Sequence, residues 1–578
     1  EWVSLRLFEA FVGNGCTSDR DWLERLVSLD GSESGKIVDT LLKDGRGSPL
    51  GPFNTLKLPL ARVIGWLIVS HHRLPTPDTD EAFGRALKAP ALGLLPGGIV
   101  HAWCGSRLDG TDAKLQAACW RFKSLPFDSR HWRQHVGKPA DAILKRPRLI
   151  AAEAETALAS PYVLHLARLT LMLADHYYSS QPSHARYGDP VRRGSKPLYA
   201  NSTREKGGEP QLKQRLDEHL IGVGVNASRL MQTLPRMERS LARIARHKGF
   251  RERSAGAFRW QNSAFDLAES LRDKAAEQGF FGVNLASTGC GKTFANARIL
   301  YGLADPQLGA RFTVALGLRT LTLQTGDAYR ERLKLGAEDL AVLVGGSATR
   351  ALHDYYKARS RNLAADGSES ADELLPEYNH VRFEGSLEDG PLKRWLQQGK
   401  QGRHAQASSL LDAPVLVCTV DHLMPACEST RGGHQILPML RLMSSDLVLD
   451  EPDDFDMNDL PALTRLVHWA GLLGSRVLLS SATLPPALVQ GLYLAYSAGR
   501  TEFQRHRGRP GVGLDVCCAW FDEFGVANGN HGADPDGTAF LASHAGFVAR
   551  RLAKLAAAKE VRRRAAIVDV PLTPASGA

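Results

Sequence analysis

Residues 282–300 read GVNLASTGCGKTFANARIL: a short apolar run, two glycines one residue apart, a lysine, a threonine, and then a helical pattern. Strand, glycine-rich turn and helix in that order are what a phosphate-binding loop requires. Gly289 and Gly291 let successive backbone N–H groups curl around phosphate oxygens, and the N-terminus of the following helix adds its positive dipole end to the same anion site. Ser287, Thr288, Gly289, Cys290, Gly291, Lys292 and Thr293 are therefore expected to hold ATP, with Lys292 reaching the β- and γ-phosphates and the Thr293 hydroxyl meeting Mg²⁺. Outward from this loop, short apolar runs at 282–285, 312–316, 341–344, 415–420, 447–449 and 477–479 alternate with helical stretches. That is the rhythm of a parallel sheet covered by helices.

Residues 444–454, SSDLVLDEPDD, set Asp450-Glu451-Pro452-Asp453 at the end of one of these strands. There one carboxylate can hold Mg²⁺ while its neighbour acts on the attacking water. Asp450 is the expected metal residue and Glu451 the expected base. A solvated acidic turn is the plainer reading of the run through Asp456, but the strand before it and the upstream loop favour chemistry. The next strand ends Ser480-Ser481-Ala482-Thr483-Leu484-Pro485. Phosphate loop, DExD and Ser-Ala-Thr in this order resemble the helicases of superfamily 2. The resemblance implies that Ser481 and Thr483 couple hydrolysis to nucleic-acid movement. It also implies that Gln261, in Phe258-Arg259-Trp260-Gln261, reads adenine, and that Arg319, Thr320 and Thr419 track single-stranded DNA through its backbone. For Arg319 and Thr419, helix capping is an equal alternative.

At 578 residues the chain exceeds what one core supports, so two or three domains are expected. A hydrophobic share of 43% excludes a disordered chain. The 72 basic residues against 62 acidic give a net charge of +10, which suits a polyanionic partner or a merely solvated basic surface. None of the eight cysteines forms a C-x-x-C pair, which disfavours a closed zinc site and fits reduced cytosolic thiols. No apolar run approaches the roughly 20 residues of a membrane helix, and no signal segment opens the chain, so neither a membrane nor a secreted role is expected. The chain starts at Glu1 without methionine, and a new apolar segment opens at 565–570, so a fragment of a longer polypeptide is expected.

Residues 1–180 carry apolar residues at three- and four-residue spacing, as at 22–27, 61–70 and 162–174, and read as all-α. A polar Gly/Pro-rich stretch at 181–210 and an arginine-studded helix over 212–248 follow; residues 358–409 read as a hydrophilic surface excursion. The expected division is an all-α domain at 1–210, a basic helical connector at 211–254, and an α/β RecA-like domain with a parallel sheet at 255–500. Residues 501–578 are expected to be a linker and the incomplete start of a second RecA-like domain.

Alone, His71-His72 would be a helix end with half-exposed histidines, and Asp175 a helix-surface acid. Joined to a superfamily 2 motor they gain a meaning, because an all-α phosphohydrolase domain of HD type precedes the motor in one group. The chain resembles the CRISPR-associated nuclease-helicases of type I interference, and residues 419–456, TVDHLMPACESTRGGHQILPMLRLMSSDLVLDEPDDFD, resemble the type I-F branch. The resemblance implies that His71, His72 and Asp175 ligate a pair of divalent transition metals, Mn²⁺, Fe²⁺, Co²⁺ or Ni²⁺, that cut single-stranded DNA delivered by the motor. It implies recruitment by a crRNA-guided surveillance complex in the prokaryotic cytoplasm. Further implied partners are the CRISPR integrase, through an N-terminal domain, and phage anti-CRISPR proteins. Glu1 matches a glutamate that follows a ligand histidine in the family. No His-Asp pair precedes His71; His353-Asp354 lies within the motor and reads as incidental. No Q-x-x-G-R-x-x-R follows Thr483, so the arginines that would complete the ATP site are expected beyond Ala578, and binding of nucleotide is expected to exceed hydrolysis. Two other readings stand beside this one: a general superfamily 2 DNA or RNA helicase with a non-catalytic helical docking domain, and a nucleotide-gated binding scaffold.

Overall fold

The computed structural model describes residues 1–44, 58–74, 118–151, 158, 160–190, 197–203, 209, 211–344, 410–429, 431–532 and 534–558. The expected surface excursion at 358–409, His353-Asp354 and the apolar segment at 565–570 lie outside the described residues.

The N-terminal half is helical, with α1 (Trp2–Gly13), α2 (Asp19–Val27), α3 (Ser34–Thr40), α4 (Pro59–Ser70), α5 (Arg130–Leu144), α6 (Pro161–Ser180) and α7 (Leu216–Thr233). Ser18 and Asp21 close a reciprocal cap on α2. The buried Asp19 carboxylate accepts from the N–H groups of Leu60 and Ala61 at 2.9 and 3.0 Å, so the orphan donors of α4 are met by an acid on α2. This anchors α4, whose far end carries His71 and His72. A small antiparallel pair, β1 (Ser202–Thr203) with β2 (Gln211–Leu212), leads into α7.

The single basic helix expected over 212–248 does not form. Pro235 ends α7 in a 3-10 turn at Leu234–Arg236, a short turn of helix at Met237–Ser240 follows, and Ile244 then pairs with Ala310. Nor is α7 a connector. It packs along α6 at Gly222, where any Cβ would run into the Tyr178 ring, so it belongs to the helical half.

The main elements that follow are α8 (Trp260–Ser270), α9 (Arg272–Gln278), β3 (Phe280–Asn284), α10 (Lys292–Leu303), β4 (Phe312–Leu316), α11 (Arg319–Leu333), β5 (Leu340–Leu343), β6 (Val415–Thr419), α12 (Gly432–Ser444), β7 (Asp446–Asp450), α13 (Leu460–Leu473), β8 (Val477–Ser480), α14 (Pro486–Arg507), β9 (Val516–Asp522), β10 (Gly525–His531) and α15 (Thr538–Ala556). Among the described residues, eight strands make one sheet in the order β10-β9-β3-β8-β7-β4-β6-β5, parallel throughout except for β10. Alternate residues enter two cores: Phe280, Val314, Val417, Val448 and Leu478 one, Phe281, Ala315, Leu416, Leu447 and Leu479 the other. Burial on both faces explains why the strands read as continuous apolar runs.

Two boundaries move. The second of these cores continues without a break into Leu169, Met172 and Leu173 of α6, so the helical half and the sheet share apolar packing. Residues 501–558, expected as a linker and the start of a second domain, add to the sheet itself: α14 runs to Arg507, and β9 pairs with β3 over Phe280 to Asn284. Burial of Val516, Cys518 and Trp520 against Phe281 and Tyr493 fixes this segment to the sheet. Among the described residues, no helix is long and apolar enough to cross a membrane.

Candidate functional site

The loop between β3 and α10 has the geometry of an anion nest. Gly289 and Gly291 take φ of +83° and +81°, open only to residues without a Cβ at little cost, and a Cβ on Gly291 would lie 2.6 Å from Gln261 Nε2. Lys292 opens α10 and donates to Glu451 Oε1 at 2.7 Å. Glu451 itself holds φ of +51°, a strained conformation for a non-glycine residue, at the turn that follows β7. Asp450 ends β7 and is buried beside Asn296, whose Nδ2 donates to Ser480 Oγ at 2.8 Å and to Asp450 Oδ1 at 3.4 Å. Burial pushes the Asp450 carboxyl up to about 6, with the neighbouring Glu451 charge adding to the rise and Lys292 opposing it. Thr293 follows Lys292, and its carbonyl accepts from Tyr329 Oη at 3.0 Å.

Gln261 is buried under the loop. Its Nε2 donates to the Gly291 carbonyl at 3.1 Å and its Oε1 accepts from Ser254 at 2.8 Å, while Trp260 Nε1 donates to the Cys290 carbonyl. A cavity of about 290 Å³ opens against Gln261, lined also by Phe258, Phe294, Ser254 and Arg332. Ser481 and Thr483 lie at the end of β8, where Thr483 Oγ1 donates to Asp453 Oδ2 at 2.5 Å and its N–H to Ser481 Oγ at 3.3 Å. The two expected coupling residues thus meet the acidic motif. Arg319 and Thr320 head α11, and Thr320 is exposed. Thr419 is buried and its hydroxyl bonds His422 Nδ1 at 3.1 Å, so in this conformation it faces the protein.

The helical half gathers a second cluster. His71 closes the end of α4 with Nδ1 between the carbonyls of Leu67 and Ile68, at 3.1 and 3.0 Å, so Nδ1–H is the donor to the backbone and Nε2 is the nitrogen left for a ligand role. The His72 ring lies 4.0 Å away, centroid to centroid. Burial first, and then His71, lower His72 to about 4, which keeps it neutral as a ligand must be. Its Nε2 is 3.4 Å from Glu1 Oε1 and 3.8 Å from Asp175 Oδ2. Glu1, His71 and His72 bring one ligand atom each within 4.8 Å of one another. On α6, Asp175 accepts from His219 at 3.1 Å through Oδ1, while Oδ2 is buried without a hydrogen-bond partner. Burial works to raise this carboxyl, but the His219 bond and the field of nearby histidines outweigh it and hold the group well below its ordinary range. An orphaned buried carboxylate oxygen facing imidazole nitrogens fits a divalent transition metal.

Sequence reading missed several residues that complete these sites. Asn284 and Asn296 bond to each other at 2.8 Å beneath the loop that joins β3 to α10, and nothing in their immediate sequence marks them. Ser287 donates to Glu523 at 2.5 Å, and Arg551 on α15 bonds both Glu523 and Ser287. His219 was hidden in the presumed connector. Its partner Gln214 accepts from Asn201 and donates to the carbonyls of Tyr178 and Gln181.

No known family profile matches the chain. It is 58% identical over 560 residues to the CRISPR-associated nuclease/helicase Cas3 subtype I-F/YPEST of Pseudomonas aeruginosa (strain UCBPP-PA14), across 96% of this chain and 49% of that protein. It is 48% identical over 586 residues to the protein of the same name from Pectobacterium atrosepticum, across 99% of this chain and 51% of that protein. Among solved structures, the crystal structure of T. fusca Cas3-ADP is similar at 16% identity and a TM-score of 0.37, covering 88% of this chain and 51% of that one. The chain spans about half the length of the curated relatives it matches. Identity of this order along nearly every residue makes the chain a homologue of about half of the CRISPR-associated nuclease/helicases Cas3 of subtype I-F.

Proposed function

We propose that this chain carries the first motor domain and the nuclease site of a CRISPR interference effector, which uses ATP to move on DNA and cuts single strands at the helical metal site. The observation that carries this reading is the 2.7 Å contact of Lys292 with Glu451, two groups 159 positions apart in sequence that meet under a glycine nest. Phosphate would draw Lys292 from Glu451, because an anion seated in the nest competes for the same ammonium. Glu451 would then be free to orient water and accept its proton, and Asp450 and Thr293 would hold the Mg²⁺ that accompanies ATP. Mg²⁺ supplies neutralisation of phosphate charge. Phe258 and Gln261 line the cavity of about 290 Å³ that would take the adenine. Asp453, held by Thr483, passes the change at the phosphates to the strand-contact turns that carry Arg319, Thr320 and Thr419.

At the second site His71, His72, Glu1 and Asp175 would hold divalent transition metal, which supplies Lewis acidity to a phosphodiester. His219 holds Asp175 Oδ1 so that Oδ2 faces the histidines. Recruitment by a crRNA-guided surveillance complex, and meetings with the CRISPR integrase and phage anti-CRISPR proteins, belong to the same proposal. In the intact protein, ATP hydrolysis should rise with single-stranded DNA and vanish in Lys292→Ala, whereas metal-dependent cutting should vanish in Asp175→Ala. DNA without effect on hydrolysis, or cutting unchanged by Asp175→Ala, overturns the reading.

A further inference from the structure

The turn that ends α4 with His71 and His72 is gripped from outside the helical half. Gly432, the first residue of α12, donates its N–H to the His72 carbonyl at 2.7 Å. Beside it Arg73 and Arg431 pair as an isolated antiparallel bridge. The approach is so close that a Cβ on Gly432 would collide with the His71 carbonyl oxygen and with Met172 Sδ. One turn further along α12, Gln435 accepts from Arg168 of α6, and Arg168 Nε donates to the Ser70 carbonyl at 2.7 Å. The Gln435 amide nitrogen closes the circuit on the Ser429 carbonyl at 2.6 Å. Carbonyls at the end of a helix have no partner within it, and here those of Ser70 and His72 are met by Arg168 and by the motor.

The same helix therefore holds both ligand-bearing elements, the end of α4 through Gly432 and α6, which carries Asp175, through Arg168. Its other end runs into β7, which carries Asp450, and it is preceded in the chain by the strand-contact turn after β6. α12 is 13 residues long with Pro438 inside it, and from its C-terminal end the chain runs the length of β7 before it reaches Asp450, so one continuous stretch of helix and strand links the grip on the histidines to the acidic motif.

We infer that Gly432 and Gln435 are positioning residues for the metal site, and that α12 makes metal affinity in the helical half depend on the state of the motor. This rests on the metal reading of His71, His72 and Asp175 proposed above. Because coupling between binding sites is reciprocal, ligands at the motor must change metal affinity by the factor by which metal changes theirs.

Co²⁺ titration of the intact protein, followed by visible absorption, tests this alongside binding of a non-hydrolysable ATP analogue and thermal melting. Gly432→Ala should weaken Co²⁺ by about tenfold or more, as loss of a supporting contact does at other metal sites, with affinity for the analogue unchanged. Gln435→Leu, which introduces no collision, should weaken Co²⁺ by a smaller factor. The analogue should shift Co²⁺ affinity in the unmodified protein and lose that effect in both variants. Folded variants with unaltered Co²⁺ affinity overturn the inference. If Gly432→Ala does not fold, Gln435→Leu decides, and unchanged affinity there overturns it. An unmodified protein that takes up no Co²⁺ defeats the metal reading first and this inference with it.

Discussion

At the end of β3 and β7 the polar groups hold one another: Lys292 meets Glu451, Asn296 meets Ser480 and Asp450, and Thr483 meets Asp453. In the helical half the cluster is assembled from Glu1, the end of α4, the C-terminal part of α6 and the first turn of α7, and one oxygen of Asp175 is left without a hydrogen-bond partner. The difference follows from the scaffold. A parallel sheet lines up strand ends, so that short contiguous motifs suffice to build a site there. Helices meet only where side chains interlock, so ligands arrive singly from far apart in the chain.

The largest expected effect separates the two regions outright. Lys292→Ala should lower DNA-stimulated ATP hydrolysis of the intact protein by about 10²–10³, as removal of a preorganised cationic or donor group at developing charge does. Co²⁺ uptake in the helical half should persist. Equal collapse of both would show that the regions are one folding unit with no separable chemistry.

His219→Ala should come next, with metal affinity down by about 10–100-fold and ATP hydrolysis little changed, measured by Co²⁺ titration and phosphate release. Unchanged metal affinity would break the assignment of His219 as the group that orients Asp175. Thr483→Val then removes a bond to a charged acceptor worth about 1.5–3 kcal/mol. Strand displacement should fall by about tenfold while nucleotide affinity holds, which an unwinding assay beside equilibrium nucleotide binding will read.

The smallest effect is on stability, and its sign differs between the two sites. Asp450 is raised above its ordinary 3.8 to about 6. Its contribution to the metal-free fold is therefore full below about 4 and lost as pH rises through about 6. Asp450→Asn should accordingly raise the melting temperature of the metal-free protein at neutral pH while it weakens Mg²⁺-dependent nucleotide binding. Asp175 is lowered. Its contribution is full above 3.8 and disappears as pH falls below that range. Melting curves of Asp450→Asn and Asp175→Asn across pH 3 to 8 should therefore differ in the direction of their departure from the unmodified protein.

Much of the sheet could be read from the chain because strands buried on both faces leave apolar runs, and phosphate-loop chemistry demands glycines, lysine and hydroxyl in a fixed order. Where sequence reading failed, the cause was mutual support between elements. The β10 stretch GVANGNH has two glycines and two asparagines, poor strand formers, and it is extended because it pairs with β9 along its whole length. The arginines of 212–248 suggested a basic connector, but Gly222 under Tyr178 and Gln214 beneath α6 determine where α7 packs. His71, His72 and Asp175 were found by family resemblance and brought together by the structure. Glu1 was matched in sequence only to a glutamate beside a family ligand, and nothing in sequence marked His219; the structure sets Glu1 against His72 and His219 against Asp175.

The neighbours of β3 have a consequence for biosynthesis. Ser287, in the turn after β3, and its partner Glu523 are 236 positions apart. At roughly 5–20 residues per second on the ribosome, β3 therefore waits on the order of 10–50 s before β9 can cover its second edge. During that interval FFGVN offers unpaired backbone groups to any passing strand, a known route to aggregation. Nascent chains should lean on holdase chaperones until Val516 has emerged, and solubility should be lower for a chain stopped at residue 510 than for one stopped at 558.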